Sequence, residues 1–321
     1  MDNLEQEISQ IKKQIDYSYQ LSDIKDDLND LYLNGNPRGY HCGFDSLYEF
    51  YSILPGRMTF INGAPDSGKS YFWMECLINL SKFHGLKHML FSPEMGDPHQ
   101  VYGELISMVM GCQLQKLSED EKREGEKFVS EYFVIIDPQD NQFTIDDFLY
   151  QAELLSEKGF NVDTLTGDPF NEFTHDFKDD HNRQDLYIER ILGYMRRKAK
   201  ATNRHICIIT HPRNQEKTTT RGITYYQPPQ PREYAGGQAW YRKGLGMLCI
   251  WRPPYGLDSE NGTYEENEIH IIVQKAKPRG IGKKGTCILY LDYSTHRYYE
   301  RDPIGIKKYA HEIEVKKDCP F

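Results

Sequence analysis

Residues 61–73 read INGAPDSGKSYFW, and the reading of this tract decides the fold. An apolar run, RMTFING at 57–63, stops at Gly63; Lys69 and Ser70 follow a short glycine-containing turn. The run reads as a strand, and KSYFWMECLINLSKFHG at 69–85 reads as a helix. Gly63, Ala64, Pro65, Asp66, Ser67, Gly68, Lys69 and Ser70 match GxxxxGK(S/T) in full, with a strand before and a helix after. The chemistry needs this spacing. Glycines let the loop wrap an anion with backbone N–H groups pointing inward. The helix adds the positive end of its dipole. Lys69 brings a point charge to the β- and γ-phosphates, Ser70 offers a hydroxyl to Mg²⁺, and Tyr71 follows directly. A nucleoside-triphosphate site is expected; a chance match in a glycine-rich turn is the competing reading.

Working outward, strand and helix alternate from about residue 40. HMLFS (88–92) reads as a strand beside the P-loop strand, and DPHQVYGELISMVMG as a helix ending at Gly111. FVIID (133–137) is a short strand, TIDDFLYQAELLSEKG a helix, and DTLTGD (163–168) a weakly apolar strand ending at an acid. RQDLYIERILGYMRRKAKATN is a long helix that leads into HICIITH (205–211), a strongly apolar strand. This is the pattern of an α/β domain on a mainly parallel sheet. After residue 245 short strands follow, GMLCIWR, EIHIIVQK and TCILYLDYSTHRYY, as a β-rich end completing the sheet. Residues 214–234 are polar and proline-rich and read as a surface loop.

Ahead of this domain, Leu4, Ile8, Ile11 and Ile15 form one apolar stripe at helical period, and Leu21, Ile24, Leu28 and Leu31 a second. These helices either pack on the chain's own core or form an arm that docks on a neighbouring subunit. NGNPRG at 34–39 breaks the pattern. The expected organisation is a helical arm over 1–38 and one domain over 39–321.

Composition narrows the class. The net charge of −9 argues against a general nucleic-acid coat and confines any such contact to a local patch. The seven cysteines show no CxxC spacing, so neither a zinc site nor a disulfide framework is expected, and scattered thiols suit a reducing cytosol. No apolar run approaches the ~18–20 residues of a membrane span, and MDNLEQEISQIKKQ is too polar for a signal peptide. A soluble cytoplasmic protein is expected.

Three polar residues at strand ends are candidates for chemistry. Glu94, just past HMLFS, can orient and deprotonate an attacking water; a solvated loop glutamate is the bland alternative. Asp168 is the expected second Mg²⁺ anchor, favoured by its position before the long helix and HICIITH; Asp137, ending FVIID, is the rival on hydrophobicity. His211 can sense a γ-phosphate or merely cap its strand.

With these residues in order, the chain resembles hexameric replicative helicases of the DnaB/Twinkle type, RecA-like P-loop ATPases. The resemblance rests on the P-loop, FSPEM, GDPFNEF, CIITHPRN and KPRGIGKKG, and covers about residues 40–300. It implies Glu94 as catalytic base, Asp168 as metal anchor and His211 as phosphate sensor. It also implies that Lys277 and Arg279, in the K-x-R-x-x-G-x-x-G pattern closed by Gly282 and Gly285, reach a neighbour's γ-phosphate. An arginine finger supplied in trans implies a homo-oligomeric ring, a hexamer by the resemblance. ATP, Mg²⁺, single-stranded DNA and a separate primase are the implied ligands and partners, in a bacterial or phage-infected cytoplasm. In REYAGGQAWYRKGLG the chain departs from the family, with Gly236-Gly237-Gln238-Ala239 where Gly-Ser-Ala is usual. Strand contacts are expected from Arg213, Lys217, Arg221 and Arg232, then Arg242 and Lys243, with Tyr225 and Tyr226 available to stack; a solvated basic loop is the alternative.

Three functions compete: a helicase motor on single-stranded DNA, a RecA-like ATPase that loads, remodels or recombines DNA without unwinding, and a ring component that binds nucleotide for assembly only. Lys69, Glu94 and Arg279 together argue against the last, since a structural nucleotide site needs neither base nor finger.

Overall fold

The computed structural model describes residues 18–310, apart from 140–141, 214, 216, 235–236 and 260–261. The chain divides into two units between Pro37 and Arg38. In the first, a 3₁₀ turn (Leu21–Ile24) leads into a helix, Lys25–Asn34, closed at Gly35, and neither buries a side chain. Leu21, Ile24, Leu28 and Leu31 are all exposed. The stripe from Leu4 to Ile15 lies outside the described residues.

The second unit is built on a ten-stranded sheet. Its parallel half comprises β1 (Met58–Asn62), β2 (His88–Phe91), β3 (Phe133–Ile135), β4 (Thr164–Gly167), β5 (His205–Ile209) and β8 (Gly246–Trp251). They stand in the order β3-β2-β4-β5-β1-β8. An antiparallel half continues from β8 through β11 (Glu268–Ala276), β12 (Gly285–Asp292), β13 (Arg297–Arg301) and β14 (Lys307–Tyr309). The β-rich end therefore extends the same sheet, as expected. Two small antiparallel pairs stand outside it, β6 (Lys217–Thr220) with β7 (Ile223–Tyr226), and β9 (Asp258–Ser259) with β10 (Gly262–Thr263).

Side chains of the central strands alternate between two cores. Ile61, Cys207 and Ile209 pack with the helix Lys69–His84 on one face. Met58, Phe60, Ile206 and Ile208 pack with the helix Gln184–Thr202 on the other. Burial on both faces explains the continuous apolar character of β1 and β5. β4 reads as polar because its threonines are satisfied inside the core. Trp73 Nε1 donates to Thr166 Oγ1 at 2.8 Å, and the His88 ring meets Thr164 Oγ1 at 2.7 Å.

Two expectations are corrected and one element is added. β2 is not beside the P-loop strand: β5 and β4 lie between it and β1, because successive parallel crossovers are inserted rather than added in chain order. Residues 217–226 are not irregular loop but the antiparallel hairpin β6–β7. Its β-branched strands turn on Arg221 and Gly222, both at positive φ, which is the backbone a two-residue hairpin turn requires. A helix at Glu119–Tyr132 was not read from the sequence. Its signal is present: the Ser118 side chain accepts from the Glu121 backbone N–H, and the Glu121 side chain accepts from that of Ser118.

Candidate active site

The parallel strands end on one edge of the sheet, and the residues that follow them converge there. After β1, the loop from Gly63 passes into the helix Lys69–His84. Gly68 sits at φ +88°, where a side chain would be strained, and turns the chain into that helix. The Lys69 side chain is buried, and its Nζ donates to the carbonyls of Gly63 at 3.2 Å and Ala64 at 3.0 Å. Burial pulls its pKa below the usual lysine range, while Asp168, Glu94 and Asp66 oppose that shift.

Asp168, following β4, is buried against the same loop. It accepts from Ser92 Oγ at 3.3 Å and from the Ser70 hydroxyl. Burial raises its pKa; the Ser70 hydrogen bond and Lys69 oppose the shift. Glu94 and His211, which follow β2 and β5, meet at 3.2 Å (His211 Nε2 to Glu94 Oε2). Pro65, Asp66, Gly68, Lys69, Ser70, Tyr71, Glu94, Asp168 and His211 all line one cavity of about 470 Å³, with Met95, Gln100 and Glu104. The last three were not singled out from the sequence: Gln100 and Glu104 lie on the outer turns of the helix Pro98–Met110, with no motif to mark them. Asp137 is elsewhere, exposed beyond the edge strand β3 and bonded to Gln139 at 3.2 Å.

The residues fit a nucleoside triphosphate with magnesium. Ser70 and Asp168 would supply hard oxygen donors of the kind Mg²⁺ takes while keeping much of its water. His211, which lines the cavity, has its Nδ1 buried with no hydrogen-bond partner among the described residues, a donor or acceptor left over for a bound group.

Lys277 and Arg279 stand apart from this cavity. β11 runs antiparallel to β8, so its last residue, Ala276, pairs with Gly246, which in turn pairs with Thr59 at the start of β1. Lys277 and Arg279 therefore emerge at the opposite edge from the P-loop, and both are exposed. Five-residue β1 separates the two edges by about 15 Å. Gly282 allows the loop to lie against the preceding segment: a Cβ there would stand 1.8 Å from the Phe50 carbonyl oxygen. In this position it bridges to Tyr51.

Of the residues expected to touch nucleic acid, Arg213, Lys217, Arg221, Arg232 and Arg242 are exposed. Lys217 and Arg221 lie on the hairpin, with Lys217 Nζ 5.1 Å from the Tyr226 ring centroid and Arg221 paired with Asp258. Lys243 is half-buried and paired with Glu189 at 3.4 Å.

No family model matches the chain. Over 293 residues it is 24% identical to the Twinkle homolog protein, chloroplastic/mitochondrial, of Arabidopsis thaliana, covering 87% of this chain but only 39% of that protein. Among solved structures, an isolated ATPase domain superposes with a TM-score of 0.69 at 17% identity, over 90% of this chain and all of that one. A DnaB-like replicative helicase, described with its interactions with primase, superposes with a TM-score of 0.68 at 17% identity, over 92% of this chain and 70% of that one. The fold is thus the RecA-like ATPase fold of those domains. No helix among the described residues is long and apolar enough to cross a membrane.

Proposed function

We propose that this chain is the ATP-driven motor of a ring-forming DNA helicase of the DnaB/Twinkle type, moving on single-stranded DNA during replication. The observation that carries this reading is the split of its chemistry between two edges of one sheet. Lys69, Ser70, Asp168, Glu94 and His211 share one cavity. Lys277 and Arg279 leave β11 at the other edge, beyond reach of that cavity. A second copy of the chain can bring them to it.

In this reading the loop amides and Lys69 would hold the triphosphate, and Ser70 and Asp168 would hold Mg²⁺, whose charge would offset that developing on the phosphates. Glu94 orients the attacking water and takes its proton. His211, within hydrogen-bond reach of Glu94, registers whether the γ-phosphate is present. Arg279 of one protomer stabilises the transferring phosphoryl group in the next, with Lys277 beside it. Repetition of this head-to-tail contact closes a ring, a hexamer in our reading. The helix Lys25–Asn34, with Leu28 and Leu31 exposed, is then an arm that packs on the adjacent subunit. Arg213, Lys217, Arg221, Arg232, Arg242 and Lys243 are the candidate strand contacts. The likeness to a DnaB-like helicase described with primase supports a separate primase as partner.

The test is ATP hydrolysis with and without single-stranded DNA, followed by unwinding of a forked duplex. DNA-stimulated hydrolysis that Lys69→Ala and Glu94→Gln abolish is expected, together with strand separation. Hydrolysis indifferent to DNA would remove the motor and leave only the nucleotide site; stimulation without strand separation would favour a loading or remodelling ATPase.

A further inference from the structure

We propose that Tyr298, from the antiparallel half of the sheet, is a positioning residue for the P-loop: its hydroxyl fixes the Gly68 carbonyl and so aims the Lys69 backbone N–H at the phosphates. The inference rests on the nucleotide reading of that loop.

Gly68 is the last loop residue before the helix. Its carbonyl accepts two hydrogen bonds, from Phe72 N at 2.9 Å within the helix and from Tyr298 Oη at 2.9 Å across the fold. A trans peptide is planar, so the N–H of Lys69 points opposite to the carbonyl of Gly68. Holding that oxygen outward, toward Tyr298, holds the Lys69 N–H inward, where a phosphate-cradling loop needs it. The contact is close: a Cβ on Gly68 would stand 2.3 Å from Tyr298 Oη. The ring is fully buried and meets Phe72 edge-on, with centroids 5.7 Å apart. Burial raises the phenol's pKa, so the hydroxyl keeps its proton and remains a donor.

The two preceding residues grip the same helix. The His296 ring lies 4.2 Å from that of Tyr71, and Arg297 Nε lies 3.7 Å from the Glu75 carboxylate in the interior. Residues 296–298 thus hold Gly68, Tyr71 and Glu75, each about one helical turn from the next. Generic packing requires no hydroxyl on the loop carbonyl, so the Oη–Gly68 bond is the part to be tested.

Tyr298→Phe removes the hydroxyl and keeps the ring. Tyr299→Phe, at the next residue of the strand, is the matched control: its buried hydroxyl accepts from Asn267 Nδ2 at 2.8 Å and has no bond to the loop. The full-length protein is titrated with a fluorescent ATP analogue and magnesium, and steady-state hydrolysis is measured below both melting midpoints. For Tyr298→Phe, Kd and KM are expected to rise about three- to tenfold, the range of one lost hydrogen bond. Its kcat should stay within about twofold, as for binding energy shared by ground and transition states. Amide exchange across 63–70 should quicken. Tyr299→Phe should lower the melting midpoint and leave Kd unmoved. Equal Kd values in the two variants overturn the proposal while the nucleotide site stands. If the wild-type protein fails to bind the analogue, the nucleotide reading falls and takes this inference with it.

Discussion

The two edges of the parallel sheet are built on opposite principles. At the P-loop edge two of the charged groups are held inward, Lys69 at only 6% exposed and Asp168 at only 5%, while Glu94 and Asp66 stand at the surface. A buried ammonium is tolerable only among acids and carbonyls, and Lys69 has Asp168, Glu94 and Asp66 around it with two loop carbonyls on its Nζ. At the other edge Lys277 and Arg279 stand in water on a loop pinned by Gly282 against Phe50. A solvated guanidinium costs nothing to hold there, and it is desolvated only when another surface covers it. Under the proposed function, the first edge binds a ligand within one chain and the second acts on a site brought to it by another copy.

The severest way to break this comparison is to truncate the exposed edge. Arg279→Ala is expected to lower kcat for DNA-stimulated hydrolysis by about 10³-fold or more, the range of an arginine finger, with nucleotide affinity little changed. A variant that hydrolyses at the wild-type rate would make the far edge an ordinary surface. Glu94→Gln attacks the other edge and should lower kcat by about 10²–10⁴-fold while nucleotide still binds. The two defects then lie in different protomers of a shared site. Mixed oligomers of the two variants should recover part of the lost rate, because a site with Glu94 from one variant and Arg279 from the other is intact. Mixtures no better than either parent would place base and finger in the same chain.

Much of the near edge was legible because it is local. GxxxxGK(S/T), its strand and its helix lie within 29 residues, 57–85, and spacing alone expresses their geometry. Glu94, Asp168 and His211 could be placed because parallel strands all end on one edge, whatever their spatial order. For that reason the mistaken adjacency of β2 and β1 did no harm to the site. The far edge was legible as a pattern but not as a position. Nothing in KPRGIGKKG says that β11 runs backward along β8, and only that reversal carries Arg279 away from its own P-loop. Tyr298 was invisible for a related reason: its partner, Gly68, is 230 residues distant, and a single tyrosine has no period. The hairpin at 217–226 was obscured by its turn, since Arg-Gly is a weaker signal than Asn-Gly.

Acid should load the two regions with opposite signs. His88 and His205 open β2 and β5 on the far side from the P-loop, and burial lowers their pKa values to about 3 and about 4. The unfolded chain takes up their protons near the ordinary 6.5, so their contribution to stability is lost as pH falls below 6.5. Glu75, on the helix behind the P-loop, is raised by burial to about 7 against an ordinary 4.5, with Arg297 opposing. The folded state therefore binds this proton first, and Glu75 adds stability as pH falls from 7 toward 4.5. Each effect is on the order of a few kcal/mol, so Glu75 offsets part of the loss from the two histidines. Glu75→Gln removes only the compensating one. Urea melts at pH 7 and pH 5 should show a steeper acid loss in this variant than in the wild type, whereas parallel pH profiles would mean that Glu75 does not take up a proton in this range.

The smallest expected effect sharpens the account of the P-loop edge, from which the hairpin β6–β7 follows after β5. Arg221 at its tip pairs with Asp258, and both side chains are more than half exposed, at 70% and 59%. Such a pair contributes at most about 1 kcal/mol, so Arg221→Ala should barely move the melting midpoint. If the tip also touches a DNA phosphate, the variant should lower the slope of log affinity against log salt by about 1 for single-stranded DNA of any sequence. The pairing makes this a demanding test, because Arg221 must leave Asp258 to reach the strand, and Asp258→Asn should then strengthen binding while Arg221→Ala weakens it. Two variants with the same affinity and salt slope as the wild type would take Arg221 off the DNA path and leave it as a clasp between Arg221 and Asp258 alone.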